Sequence, residues 1–211
     1  MSNVSAGVSV KRSQARIDEE AVAEFLRTYN LEVERIPERD VRTPDFLVST
    51  QSGYSFYCEV KGIEGIPLSE PFLYRKANDR LKEDLKRARE QFRAVNAARL
   101  VPNILAWVSH DQRIVTLDDI VLLVEGVCIT PGMRRWVQPG FQFRKSAKYK
   151  TEVDLFILIP KRGGPGCGPS FFVREDNADF ASRLRRIFHL PLLTIDAGWR
   201  RMHREPRGQC G

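Results

Sequence analysis

The chain has 211 residues and carries 34 Lys plus Arg against 27 Asp plus Glu, for a formal net charge of +7. A hydrophobic share of 42 % and a charged share of 29 % exclude disorder as a description of the whole, and predict one domain with a sizeable core. The longest apolar runs, Ile120–Val124 and Leu155–Ile159 among them, are far too short to span a bilayer, so no membrane is expected as a partner.

The N-terminal stretch has no apolar h-region, and no secretory signal is expected from it. Cys58, Cys128, Cys167 and Cys210 form no C-x-x-C and have no clustered histidine, which argues against a disulfide framework or zinc site. A reducing cytoplasm is the expected setting. The positive balance points to an anionic partner, most often nucleic acid, although ribosome-associated and membrane-surface proteins share it.

Residues 1–15 are expected to be a flexible N-terminus, followed by a single domain over 16–199 and a flexible tail over 200–211 rich in Arg, Gly and Pro. The first predicted helix runs from about Ile17 to Tyr29, with Ala21, Val22, Phe25 and Leu26 at helical spacing. Asp18, Glu19 and Glu20 then crowd its first turn, where the dipole favours anions. Leu31–Ile36 alternates and reads as a strand. Phe46–Ser49 and Tyr54–Lys61 read as two more, joined by the polar turn Thr50-Gln51-Ser52-Gly53. Ala77–Ala98 reads as a long amphipathic helix with Leu81, Leu85, Ala88 and Phe92 on one stripe. Asn103–Ser109 is nearly all apolar and suits a strand buried on both faces.

Asp118–Glu125 reads as a short helix, Gly163–Gly168 as a surface loop, Val153–Ile159 as a second buried strand and Ala178–Phe188 as a final amphipathic helix. Between Gly126 and Thr151 stand six basic residues (Arg134, Arg135, Arg144, Lys145, Lys148 and Lys150) and no acidic one. Trp136, Phe141, Phe143 and Tyr149 are interleaved with them. Cations contact phosphates and rings stack on bases, so Arg134, Arg135, Trp136, Arg144, Lys145, Lys148 and Lys150 are candidate nucleic-acid contacts. A pair of surface strands with a solvated cationic face gives the same pattern. His110, His189 and His203 are isolated and read as packing or surface residues.

One arrangement carries chemistry. Asp45 opens the second strand, and Glu59-Val60-Lys61 closes the third. Side chains at i and i+2 share a strand face, so Glu59 and Lys61 point one way and Val60 the other. Antiparallel pairing across the turn returns Glu59 to Asp45. Two carboxylates and an ammonium then converge, an oxygen donor set that suits Mg²⁺. Such an ion stabilises charge on a scissile phosphate and acidifies a bound water. The plain alternative is a surface hairpin with an ordinary Glu-Lys pair.

The segment PDFLV…YSFYCEVKG resembles the active-site hairpin of the PD-(D/E)XK nucleases, the restriction-endonuclease-like superfamily. The resemblance covers about Arg16 to Ser109, with Val153–Ile159 as a later strand. It implies a three-layer α/β sandwich, a central mixed β-sheet flanked by helices, with the nuclease core over 16–110 and a C-terminal elaboration over 111–199. It implies Asp45 and Glu59 as metal carboxylates, the Val60 carbonyl as a further ligand and Lys61 as the catalytic lysine. The family's helix acid falls on Glu19 or Glu20; packing of Val22, Ala23 and Leu26 favours Glu19. A polar residue from the following helix falls on Gln91, with Lys82 and Lys86 as weaker candidates.

The expected activity is a Mg²⁺-dependent nuclease, with Mn²⁺ able to substitute, acting on DNA rather than RNA and cutting internally. A homodimer would supply two sites for cutting two strands. A non-catalytic nucleic-acid-binding module on the same fold is the alternative, and a protein-interaction subunit a third reading.

Overall fold

The computed structural model describes residues 4–37, 42–63, 73–110, 120, 127–130, 133–136, 152–161 and 168–190. Helix α1 spans Val4–Arg27. It is followed by strands β1 (Leu31–Arg35), β2 (Phe46–Thr50) and β3 (Ser55–Ile63), helix α2 (Leu73–Asn96) and strand β4 (Asn103–Ser109). Beyond these come the pair β5 (Val127–Thr130) and β6 (Met133–Trp136), strands β7 (Leu155–Pro160) and β8 (Ser170–Val173), and helix α3 (Ala178–Ile187).

Six strands make one mixed sheet in the order β1-β2-β3-β4-β7-β8. The β1–β2, β2–β3 and β7–β8 pairs are antiparallel; β3–β4 and β4–β7 are parallel. The expectation of an α/β sandwich with a mixed central sheet and helices on its faces is met at this level. Strand β4 shows why: all seven of its residues are buried. Ile104, Ala106 and Val108 face one core with Val22 and Leu26 of α1 and Leu184 of α3. Leu105 and Trp107 face a second core with Leu81, Leu85, Ala88 and Phe92 of α2. A strand enclosed on both faces is apolar along its length, and here only its two ends, Asn103 and Ser109, are polar.

Two features depart from the sequence reading, and a third lies almost wholly outside the described residues. Helix α1 begins at Val4, inside the stretch expected to be flexible. Asp18, Glu19 and Glu20 therefore lie well past its first turn, too far from the helix end for the dipole to explain them. Strand β8 was not legible, because only Phe171, Phe172 and Val173 are apolar and a Gly/Pro-rich stretch precedes them. It forms nonetheless because Phe171 packs on one core and Phe172 on the other. The helix expected over Asp118–Glu125 lies outside the described residues except for Ile120, which is helical and buried.

At the N-terminal edge of the parallel strands, a satisfied polar network sets the β4–β7 register. The Asn96 amide donates to Val101 O (2.7 Å) and to Asn103 Oδ1 (2.8 Å), and Asn103 N donates to Asp154 Oδ2 (2.9 Å). The Thr50–Gly53 turn closes as expected, with Gly53 N donating to Thr50 O (2.9 Å) and Gly53 at a φ of 79°. No helix among the described residues is long and apolar enough to cross a membrane.

Candidate active site

The β2–β3 ladder ends with Phe46 opposite Cys58, so the next pair of positions is Asp45 and Glu59. With β2 finished, the Asp45 side chain takes over the backbone's role: Val60 N donates to Asp45 Oδ2 at 2.7 Å. Tyr57 N, by contrast, donates towards β4, to Pro102 O at 3.0 Å. Backbone groups of one strand residue point to one side, so the Val60 carbonyl faces the same open end of β2 as its N–H.

Glu59 is 1 % exposed and lies on the α2 side of β3 with Lys61. Lys61 Nζ pairs with Glu59 Oε1 and donates to Gln91 Oε1 at 3.2 Å. Gln91 Nε2 in turn donates to Thr43 O at 2.9 Å. One α2 amide thus holds both the lysine and the chain that leads into Asp45. This is the border position that the helical stripe marks out, between Ala88 and Phe92. Asp45, Glu59, Lys61 and Gln91 are brought together.

The electrostatics are unbalanced. Burial, then the charge of Asp45, pushes the Glu59 carboxyl up to about 8 against the pull of Lys61. Burial raises Asp45 to about 6, opposed by the Val60 N–H and aided by the charge of Glu19. Glu59 Oε2 is buried and has no hydrogen-bond partner. Lys61 therefore compensates the pair only in part, and a buried carboxylate oxygen is left over. Unpaired buried polar atoms are rare because each forfeits its hydration. A cation between Asp45 and Glu59 would satisfy it, and the oxygen-only donors fit a hard divalent ion.

The two helix acids weighed for the site divide between solvent and the sheet. Glu20 points to solvent and pairs with Arg27 at 3.1 Å. Glu19 is close enough to raise the Asp45 carboxyl, but its own side chain is paired with Arg35 of β1. Among the described residues, no group of three or more His, Cys, Asp or Glu side chains is placed to hold a metal ion.

The most buried acid of α1 is Asp18, whose sequence position suggests only a dipole role. It accepts from Gln14 Nε2 (3.0 Å), contacts His110 Nε2 (3.0 Å) and accepts from Lys161 Nζ (3.3 Å). It reaches β3 because Gly62 has no side chain; a Cβ there would stand 2.3 Å from Asp18 Oδ2. His110 is thus neither isolated nor simple packing. Asp84 of α2 is also buried; burial raises its carboxyl, and Arg80 and then Lys61 oppose this. A period-3.6 count from Leu81 and Leu85 places Asp84 beside the apolar stripe, which was the available signal. Lys82 pairs with Asp79 at 3.2 Å, and Lys86 is exposed.

Arg134, Arg135 and Trp136 lie on β6, opposite Ile129, Cys128 and Val127 of β5, in a two-stranded sheet of their own. Arg144, Lys145, Lys148 and Lys150 lie outside the described residues. Comparison of the chain with family models, curated proteins and solved structures returns no match.

Proposed function

We propose that this chain is a Mg²⁺-dependent nuclease of the PD-(D/E)XK, restriction-endonuclease-like kind, cutting DNA internally at the Asp45–Glu59–Lys61 centre. The observation that carries the reading is the buried, unpartnered Glu59 oxygen beside Asp45, in a hairpin whose backbone leaves the Val60 carbonyl facing the same opening. Asp45, Glu59 and the Val60 carbonyl would hold the ion. When bound, Mg²⁺ supplies charge stabilisation at the scissile phosphate and acidifies a water.

The chain's own residues do the rest. Asp45 accepts from the Val60 N–H through one oxygen, which orients its carboxyl. Glu59 would be an anionic ligand only in its deprotonated form, which burial disfavours and the charge of Lys61 favours. Lys61, steadied by Gln91, is then placed to orient the attacking water or to neutralise the developing oxyanion. Gln91 is a positioning residue; its bond to Thr43 O fixes Lys61 relative to the Asp45 strand.

Closed circular DNA separates the readings. The nuclease reading predicts conversion to open or linear circles with about 10 mM Mg²⁺ and none in EDTA, since the ion must occupy the centre. DNA binding that is equal in EDTA and in Mg²⁺, with no cutting in either, would instead assign a binding module on the same fold.

A further inference from the structure

We infer that Arg35 is a phosphate-binding residue of this centre: Glu19 holds its guanidinium in the free protein, and a substrate phosphodiester takes the place of Glu19 on binding. The inference rests on the nuclease reading and deepens it.

Arg35 ends β1 opposite Phe46, and the next residue, Ile36, donates its N–H to Asp45 O at 2.9 Å. Its guanidinium carbon lies 5.3 Å from the ring centroid of Phe46, the residue that follows Asp45 in the chain, so an aromatic face supports the cation. One Nη1 donor goes to Glu19. Five N–H donors in a planar fork match the oxygens of a phosphodiester, and a fork already held by a ring loses less freedom on binding.

The ion pair that occupies Arg35 is poor as a structural tie. The Arg35 side chain is 44 % exposed, and pairs at that exposure add little to stability. Glu19 is 16 % exposed and raises the carboxyl of Asp45, so it adds an anion to a site already short of compensation. Lys61 is committed to Glu59 and Gln91. Arg35 is therefore a cation next to the residue that bonds the Asp45 backbone, and a ligand phosphate can reach it by displacing one exposed contact.

Fluorescence anisotropy of a short labelled DNA duplex, in EDTA and in Ca²⁺, tests this with Arg35→Ala, Arg35→Lys and Glu19→Gln. Loss of a charge-assisted phosphate contact should weaken binding by Arg35→Ala roughly tenfold or more and lower the salt slope by about one unit. Arg35→Lys should recover part of that. Glu19→Gln, which releases the guanidinium, should bind more tightly than wild type in EDTA. These opposite signs are the signature, because a purely structural tie would be broken equally from either side. Equal weakening by Arg35→Ala and Glu19→Gln, or wild-type affinity and slope in Arg35→Ala, would overturn the inference and leave the nuclease reading standing. A wild-type protein that binds no DNA in either condition would remove both.

Discussion

At the scale of single residues, the account turns on two carboxyls that are buried without full compensation. Asp45 is raised to about 6 and Glu59 to about 8, above ordinary carboxylate values. The folded state therefore holds protons that the unfolded chain has released, and stability falls as pH rises. The contribution is fully present below about 4, where the unfolded chain is also protonated, and is lost progressively up to about 8. Urea denaturation of metal-free protein should show a decline on the order of a few kcal/mol across that window. Glu59→Gln, which cannot ionise, should remove most of the slope. A flat profile for the wild type would show that the pair is compensated.

The same reasoning fixes what Asp45→Asn does. An amide oxygen can still accept from Val60 N, while the buried charge beside Glu59 is gone. Metal-free stability should stay level or rise. A divalent ion about a hundredfold above its Kd adds roughly 3 kcal/mol to a protein with an intact site, and most of that rise should vanish in the variant. Thermal melts with and without Mg²⁺ measure it. An equal shift in wild type and variant would show that Asp45 is no ligand.

At the scale of elements, α1 is fastened to the sheet by one carboxylate. Asp18 meets Gly62 of β3, His110 just after β4 and Lys161 just after β7, at the carboxyl ends of the three parallel strands. The close approach to β3 is what requires glycine at position 62. Gly62→Ala should cost about 1–3 kcal/mol in urea denaturation, as an overpacked contact does. In the Asp18→Ala background the same change should cost much less, since the obstructing carboxylate is gone. Additive losses would show that the anchor is not the reason for the glycine.

At the scale of the whole molecule, legibility followed apolar periodicity. The strand over Asn103–Ser109 was readable to the residue because a run buried on both faces has no polar interruption. The β2–β3 hairpin and its Asp45–Glu59 juxtaposition were readable because a polar turn fixes antiparallel register, and register fixes facing. Gln91 was picked out by the family resemblance, and its place at the edge of the helical stripe agrees with its contact to Lys61. The role of Asp18 was not, because three of its contacts come from chain positions 44 to 143 residues away that only the folded sheet brings together. The engagement of Glu19 by Arg35 was hidden for the same reason: no local pattern says which end of β1 a helix side chain will meet. The basic stretch at 134–150 gave a charge pattern without a geometry, and only Arg134, Arg135 and Trp136 acquire a strand register.

Phosphodiester cleavage at the Asp45–Glu59–Lys61 centre is decided by the rate of Lys61→Ala on supercoiled plasmid DNA in Mg²⁺. Lys61 is half-buried on a strand whose register does not depend on its side chain, so the variant should keep the fold, at the cost in melting temperature of leaving Glu59 without its ammonium partner. The account predicts cutting slowed by a factor of about 100 or more, the scale of removing one preorganised charge from a transition state. A Lys61→Ala protein that cuts as fast as wild type, or a wild type that cuts equally well in EDTA, would contradict it.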